Sequence, residues 1–428
     1  MTRVVLVCHA TIGERMAAAG IRYRELAHFL ADFHEVTLAA PLGSSPEYAP
    51  GLALYDPQRP ASLRTLIERA DIVVSQPLAP RLIQHAAARR RRWIVDLLNP
   101  EPFEGLEQHR HRSGPIRRAL EMVRIDRLTY AIALADAFIC ASERQRDMWL
   151  GFLAACRRLE RPDGDPNRDL RSLIVVVPSG VPADIAAPAP EPVLRGCVLV
   201  PDARVLLWNG GVWGWLDPAM VIHALAVLRE RDRRWALVFQ GGVSIPPGTR
   251  VHSTAAEEVR ALIERYAFDA QTVHVNEGWT PLAQRGEMLA EADVGVCAHP
   301  PTLEARFAFR NRLLDFVWAR LPVVCTRGDP LAEDMLRHGW GEVIAPGDAL
   351  AFAAAAERIV ARGPEAYRQA LDDAACRFAW PRMVIPLLEL IESTGSNKRR
   401  PRGRDLVARV LGARHTAAGY AAGLARRA

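Results

Sequence analysis

The stretch RVLLWNGGVWGWLDPAMVIHALAVLRER, residues 204–231, decides the fold. It opens with an apolar run at 204–208 that does not alternate with polar residues, as expected of a strand covered on both faces. Gly210, Gly211 and Gly214 then break the chain. Asp217-Pro218 is a helix start, an N-capping carboxylate followed by proline in the first turn. The residues to 231 carry helical spacing. A buried strand, a glycine turn and a helix form the repeating unit of a parallel α/β sheet.

The pattern recurs on both sides. Upstream, strands are expected at 4–8, 35–39, 72–75, 93–97, 137–140 and 173–177, with helices at 21–32, 62–69, 115–134 and 143–159. Downstream, strands are expected at 235–239, 272–275, 294–297, 322–325 and 342–344. Helices between and beyond them are expected at 254–266, 281–291, 309–319, 329–338, 349–361 and 364–377. The Pro-rich segment 178–196 separates the two series and reads as a linker. The expectation is therefore α/β, two doubly wound domains facing across a cleft. They would occupy 1–177 and 197–378, followed by a crossover helix at 379–397 and a basic tail at 398–428. Open parallel sheets bind ligands beyond the carboxyl ends of their strands.

Composition narrows the chemistry. Lysine occurs once in the 428 residues, at Lys398, and the other 54 basic residues are arginine. No lysine is available earlier for a Walker A loop, a kinase phosphate clamp or a pyridoxal Schiff base. Arginine in place of lysine throughout, with abundant alanine, reflects coding bias, so it does not argue for nucleic acid as a partner. The net charge of +6 is uneven: residues 398–428 carry nine basic residues and Asp405, and the rest sums to −2. This tail has apolar positions at helical spacing. It reads either as a solubilising end or as a peripheral contact with anionic membrane. The seven cysteines include no C-x-x-C pair and read as buried free thiols. The histidines show no ligand spacing, so no metal is expected. The apolar run at the N-terminus is too short for a signal peptide, and no stretch is long enough to span a bilayer; a cytoplasmic protein is expected.

Four segments could carry chemistry. In the loop after the first strand, Gly13 and Gly20 flank a turn before a helix, either an ordinary turn or a phosphate-binding one. G-x-G-x-x-G is absent. In WNGGVWGWLDP (208–218), Gly210 and Gly211 could let a diphosphate approach the backbone, or Trp213 and Trp215 could simply pack on the linker. In PPTLEARFAFRNRLLDFVWARLPVV (300–324), Arg306, Arg310 and Arg312 accompany Glu304 and Asp315. Asp315 falls on the apolar face of a helix with Leu313, Phe316 and Val317. A carboxylate there could take the two hydroxyls of a ribose while arginines meet a diphosphate; the plainer reading is a salt-bridged surface helix. In VNEGWTP (275–281), Gly278 and Trp279 could present backbone and a ring to a flat base. The Asp163-Gly164-Asp165 triplet reads as a solvent loop.

Together with GERMAAAGIRYRELA (13–27), ADAFICASERQRDMWLGFL (135–153), EADVGV (291–296) and VIAPGD (343–348), these segments make the chain resemble family-4-like glycosyltransferases of the GT-B fold. The resemblance covers nearly the whole chain to about residue 393. It implies two Rossmann-like domains, a nucleotide-sugar donor held mainly by the second and an acceptor held mainly by the first. It implies a retaining transfer that needs no metal or cofactor, to a glycan, lipid-linked or natural-product acceptor. Asp315, seven residues before Pro322, matches the family's ribose-binding carboxylate. Gly210 and Gly211 match the diphosphate turn, and Gly278 and Trp279 the base-reading strand end. Arg306, Arg310, Arg312 and Glu304 are the candidates for catalysis. Three departures stand out. The family's E-x7-E pair lacks its first acid, since Phe307 stands there. The phosphate-site lysine is missing. Arg320 replaces the glycine usual before Leu321. A nucleotide-sugar epimerase of the same fold and a non-catalytic partner subunit are the alternatives.

Overall fold

The computed structural model describes residues 1–393 except 60, 90, 160–168, 242–254 and 277. The Asp163–Asp165 triplet and the 398–428 tail lie outside the described residues. The chain divides into two compact units. The first comprises Met1–Gly13, Ala17–Pro178 and the chain from Met383; the second comprises Glu14–Met16 and Ser179–Arg382.

The first unit holds a seven-stranded sheet: β1 (Arg3–Val7), β2 (Glu35–Pro41), β3 (Leu52–Tyr55), β4 (Ile72–Ser75), β5 (Arg92–Asp96), β6 (Ala137–Cys140) and β7 (Ile174–Val176). Its order is β3-β2-β1-β4-β5-β6-β7, and every pairing is parallel. The second unit holds β8 (Arg204–Trp208), β9 (Trp235–Phe239), β10 (Val273–Val275), β11 (Val294–Cys297), β12 (Val323–Thr326) and β13 (Gly341–Ile344). Their order is β10-β9-β8-β11-β12-β13, again all parallel. Each order reverses direction once, between β1 and β4 and between β8 and β11. In doubly wound sheets that reversal opens the ligand crevice.

Strand and helix positions follow the sequence pattern, with exceptions that have physical causes. β3 was not expected: its LALY run is short and opens directly after Gly51, so it carries little pattern. Helices at Pro80–Ala88, Glu101–Gln108 and Leu303–Phe307 were also not expected. Gly20, expected just before a helix, lies inside the helix Ala18–Leu30. The thiols need a partial correction. All are free, but only Cys8, Cys140, Cys297 and Cys325 are buried, and Cys197 and Cys376 are exposed.

The segment 178–196 groups almost wholly with the second unit. Val181 and Leu194 are fully buried in that unit's core. The Glu291 carboxylate accepts from the backbone N–H groups of Val193 (2.8 Å), Leu194 (3.0 Å) and Arg195 (2.5 Å). The helix Trp380–Glu392 begins in the second unit and ends in the first. Its end is fixed in the first unit by Arg92, which donates to the carbonyls of Leu390 (2.8 Å) and Ile391 (3.1 Å). Arg320 takes a left-handed backbone (φ 54°), where glycine would fit without strain. Its side chain offsets this by pairing with Asp372 at 2.6 Å and donating to the Val317 carbonyl at 2.9 Å. No helix of the described residues is long and apolar enough to cross a membrane.

Candidate functional site

The second unit gathers polar groups where the β8, β9 and β10 strands end. β8 delivers Asn209 and Gly210 at its carboxyl end. Gly210 has φ 75°, and a Cβ added at Gly241, just beyond β9, would lie 2.3 Å from the Gly210 carbonyl carbon. Only bare backbone fits at this crossing, so the two turns form a floor without side chains. Gly211 is buried, and its carbonyl accepts from Arg312 Nη2 at 3.0 Å. Trp213 and Trp215 stack on each other, 5.5 Å between centroids and 10° between planes. The next helix, Pro218–Arg231, starts as the sequence predicts, with Asp217 accepting from the Met220 N–H at 3.0 Å.

Asp315 faces this floor from the helix Asn311–Trp318. Leu313, Phe316 and Val317 are fully buried and hold the helix down. The Asp315 side chain keeps 29 % exposure, enough to meet a ligand. Asn209 Nδ2 donates to its Oδ2 at 2.5 Å, and Arg285 Nη1 stands 3.7 Å from the same oxygen. Burial raises the Asp315 carboxyl above the usual carboxylate range, against the opposing pull of Arg285, Asn209 and Arg312.

Arg312 lies on the same helix. Its guanidinium sits over the Trp208 ring, 5.1 Å from the centroid. Burial lowers its pKa to about 10, which still leaves it cationic at neutral pH. Arg312 Nη1 is buried without a hydrogen-bond partner, as is Asn209 Oδ1. A buried polar atom left unpaired costs about 1–3 kcal/mol, so both atoms call for a polar partner, whether water or ligand.

The three expected arginines stand in different surroundings. Arg310 is spent on Glu304, with Nη1–Oε1 at 3.0 Å and Nη2–Oε2 at 2.6 Å. Both side chains are almost wholly buried, at 6 % and 1 % exposure. Burial, the largest single influence, would lower the Arg310 pKa, but the Glu304 charge and hydrogen bonds, with smaller pulls from Cys297 and Asp329, together hold the value above normal. Arg306 is exposed on the helix Leu303–Phe307, its guanidinium over the Phe307 ring at 5.6 Å.

The strand end after β10 is tied to the end of β9. Asn276 Nδ2 donates to the Gln240 carbonyl at 2.9 Å, and the Thr280 hydroxyl donates to the same oxygen. Gly278 is exposed, with open space where a Cβ would stand. Trp279 is 8 % exposed, and the Arg285 guanidinium lies 5.8 Å from its ring centroid. In the first unit, Gly13 packs against Ser45 and Gly20 is buried. That unit's own buried ion pair is Arg22–Asp96, at 2.8 Å, at the carboxyl end of β5. Among the described residues no group of three or more His, Cys, Asp or Glu could hold a metal ion.

Arg285 and Asn209 were not singled out in the sequence, although Arg285 carried a signal. It stands four residues before the buried Leu289 on the helix Leu282–Glu291, where the apolar stripe would continue.

This architecture matches solved structures along nearly its whole length. HepE of Anabaena in complex with UDP-glucose superposes with a TM-score of 0.65 at 13 % identity, covering 92 % of this chain and 100 % of that one. The fold is GT-B. Sucrose-phosphate synthase from Thermosynechococcus elongatus gives a TM-score of 0.60 at 17 % identity, covering 92 % and 99 % of the two chains. An α,α-trehalose-phosphate synthase (UDP-forming) from Burkholderia xenovorans, in complex with glucose-6-phosphate, gives 0.60 at 12 %, covering 91 % and 99 %. No protein-family model matches the chain, and no curated protein matches it. At these identities the likeness to the GT-B glycosyltransferases is one of fold.

Proposed function

We propose that the chain is a glycosyltransferase whose donor is a nucleoside-diphosphate sugar bound in the second unit. The observation that carries this reading is the grouping of Asp315 and Arg312 beside the side-chain-free floor of Gly210 and Gly241. In this reading Asp315 accepts hydrogen bonds from ribose hydroxyls. Arg312 would meet the diphosphate through Nη1, which has no hydrogen-bond partner, and backbone could approach the diphosphate closely at Gly210 and Gly211. Gly278 and Trp279 supply the strand end for the base. The solved relatives with UDP or UDP-glucose bound in the same fold support this donor class.

The reaction would be mainly positioning and charge stabilisation. A guanidinium in a dry pocket stabilises the second negative charge that develops on the departing diphosphate, and it is already in place before the bond breaks. Arg312 would fill the role for which no lysine is available before Lys398. Transfer with retention, the donor phosphate receiving the acceptor proton, and no metal or cofactor, completes the reading. The acceptor would be a glycan, a lipid-linked sugar or a natural product. The cytoplasmic face of a membrane, met through the basic tail, is a site of action consistent with such acceptors.

The test is donor turnover. Incubation with UDP-, GDP-, ADP- and dTDP-sugars and an acceptor panel should release nucleoside diphosphate from one donor only when an acceptor is present. The anomeric proton of the product, followed by NMR, should show retention. An inverted product would remove the retaining mechanism, and no release from any donor would remove the enzyme reading.

A further inference from the structure

Among the described residues of the second unit, Arg285 stands near both expected ends of a nucleoside. It reaches Asp315 Oδ2 with Nη1, at 3.7 Å, and its guanidinium lies over Trp279, at 5.8 Å. Its Nη2 also donates to the Met16 carbonyl at 3.3 Å, and Met16 belongs to the same unit. The residue is 6 % exposed, and its backbone carbonyl accepts from Gln240 Nε2 at 2.8 Å. Arg285 is thus held at both backbone and side chain, beneath the surface that a ligand would meet.

We propose that Arg285 is a positioning residue that pairs with Asp315 and lies across Trp279, so that one buried guanidinium sets both the ribose carboxylate and the base-side ring. This rests on the donor-site reading above. The reasoning starts from charge. A half-buried carboxylate beside a diphosphate is repelled by it and is costly to keep ionised. Among the described residues, the charged groups that face Asp315 are Arg285 from the 282–291 helix and Arg312 from its own helix, with neutral Asn209 at the end of β8. Arg310 and Glu304 neutralise each other. If Arg312 is engaged by the diphosphate, Arg285 is left as the counter-charge of Asp315. Its pull opposes the burial that raises the Asp315 carboxyl.

The sign follows from this. Ionised Asp315 accepts from ribose, so donor affinity is present above its pKa and falls as the pH drops through it. Removing Arg285 raises that pKa further, so affinity is lost at a higher pH. An opposite charge at this distance typically moves a carboxyl by about one to three pH units.

The experiment is calorimetric titration with UDP-glucose, GDP-mannose and ADP-glucose from pH 5 to 8, over which their diphosphate diesters keep a constant charge. Wild type, Arg285→Gln, Arg285→Lys, Asp315→Asn and the Arg285→Gln/Asp315→Asn pair are compared, each checked for folding by circular dichroism. The proposal expects the midpoint of affinity loss to rise by about one to three pH units in Arg285→Gln. Arg285→Lys should stay near wild type, and Asp315→Asn should show no midpoint whether or not Arg285 is present. Should Arg285→Gln not fold, Arg285→Lys with a shifted midpoint would still count against a purely charge-based pairing. Equal loss of affinity at every pH, or the same loss from Arg285→Gln in the Asp315→Asn background, would overturn the proposal and leave Arg285 with a structural role. If wild type binds none of the three donors, the donor-site reading itself fails, which is a different result from a wild-type protein that binds and a variant that does not respond.

Discussion

Replacing Arg310 by methionine separates a structural cation from a ligand-binding one. The Glu304–Arg310 pair is bidentate and almost fully buried, and it bridges the corner between the 303–307 and 311–318 helices. Arg310→Met would leave the Glu304 carboxylate buried without its partner. Breaking a buried pair in this way costs about 3–5 kcal/mol, whereas replacing both partners by apolar residues is often neutral or stabilising. For a folding unit of this size each kcal/mol moves the Tm by about 2–4 °C, so a loss of about 6–20 °C is expected. Differential scanning calorimetry should show it in the transition of the second unit. The Glu304→Leu/Arg310→Met pair should recover most of the loss. Donor affinity of the folded fraction, measured at low temperature, should stay within about threefold of wild type, less than one hydrogen bond is worth. An Arg310→Met protein with unchanged Tm and lost donor affinity would refute the reasoning and return Arg310 to the diphosphate.

The other expectations are briefer. Arg312→Lys should lower kcat/KM by about 10- to 100-fold with little change in Tm, because an ammonium cannot both hold the Gly211 carbonyl and present a second fixed donor; full activity would place the charge elsewhere. Gly241→Ala should cost about 1–3 kcal/mol and weaken donor binding, since its Cβ meets Gly210 backbone rather than a yielding side chain. A folded, fully active Gly241→Ala protein would show that the two turns can separate. Truncation after Asn397 should leave thermal unfolding unchanged and remove salt-sensitive sedimentation with anionic vesicles, given the tail's net charge of +8; if the full chain stays in the supernatant at low salt, the tail is no membrane contact.

The sequence carried the sheets better than the site. Apolar runs such as VVLVC at 4–8 and RVLLW at 204–208 are too short for a typical helix and favour a strand covered on both faces, and the glycine turn after the second fixes where it ends. Asp315 was legible because a carboxylate between Leu314 and Phe316 breaks the apolar face of its helix and asks for partners. Those partners were not legible. Asn209 lies in a turn and Arg285 in line with the apolar stripe of its helix, and only the tertiary fold brings them to one oxygen. For Glu304 and Arg310, spacing brought acid and base together but could not say that the two would pair with each other. Exposure was the missing quantity, and it depends on how the 303–307 and 311–318 helices turn the corner at Ala308–Arg310. The segment 178–196 looked like a free linker because prolines suppress periodicity, yet Glu291, far along the chain, ties its backbone to the second unit.

The central claim is that Asp315 and its neighbours bind the nucleoside diphosphate of a sugar donor. Isothermal titration of UDP-, GDP-, ADP- and dTDP-sugars into wild type and Asp315→Ala tests it most directly. A charged hydrogen bond is worth roughly 1.5–3 kcal/mol, so Asp315→Ala should bind the preferred donor about 10- to 150-fold more weakly while remaining folded. Equal affinity in the two proteins would contradict the account, as would a wild-type chain that binds no nucleotide sugar.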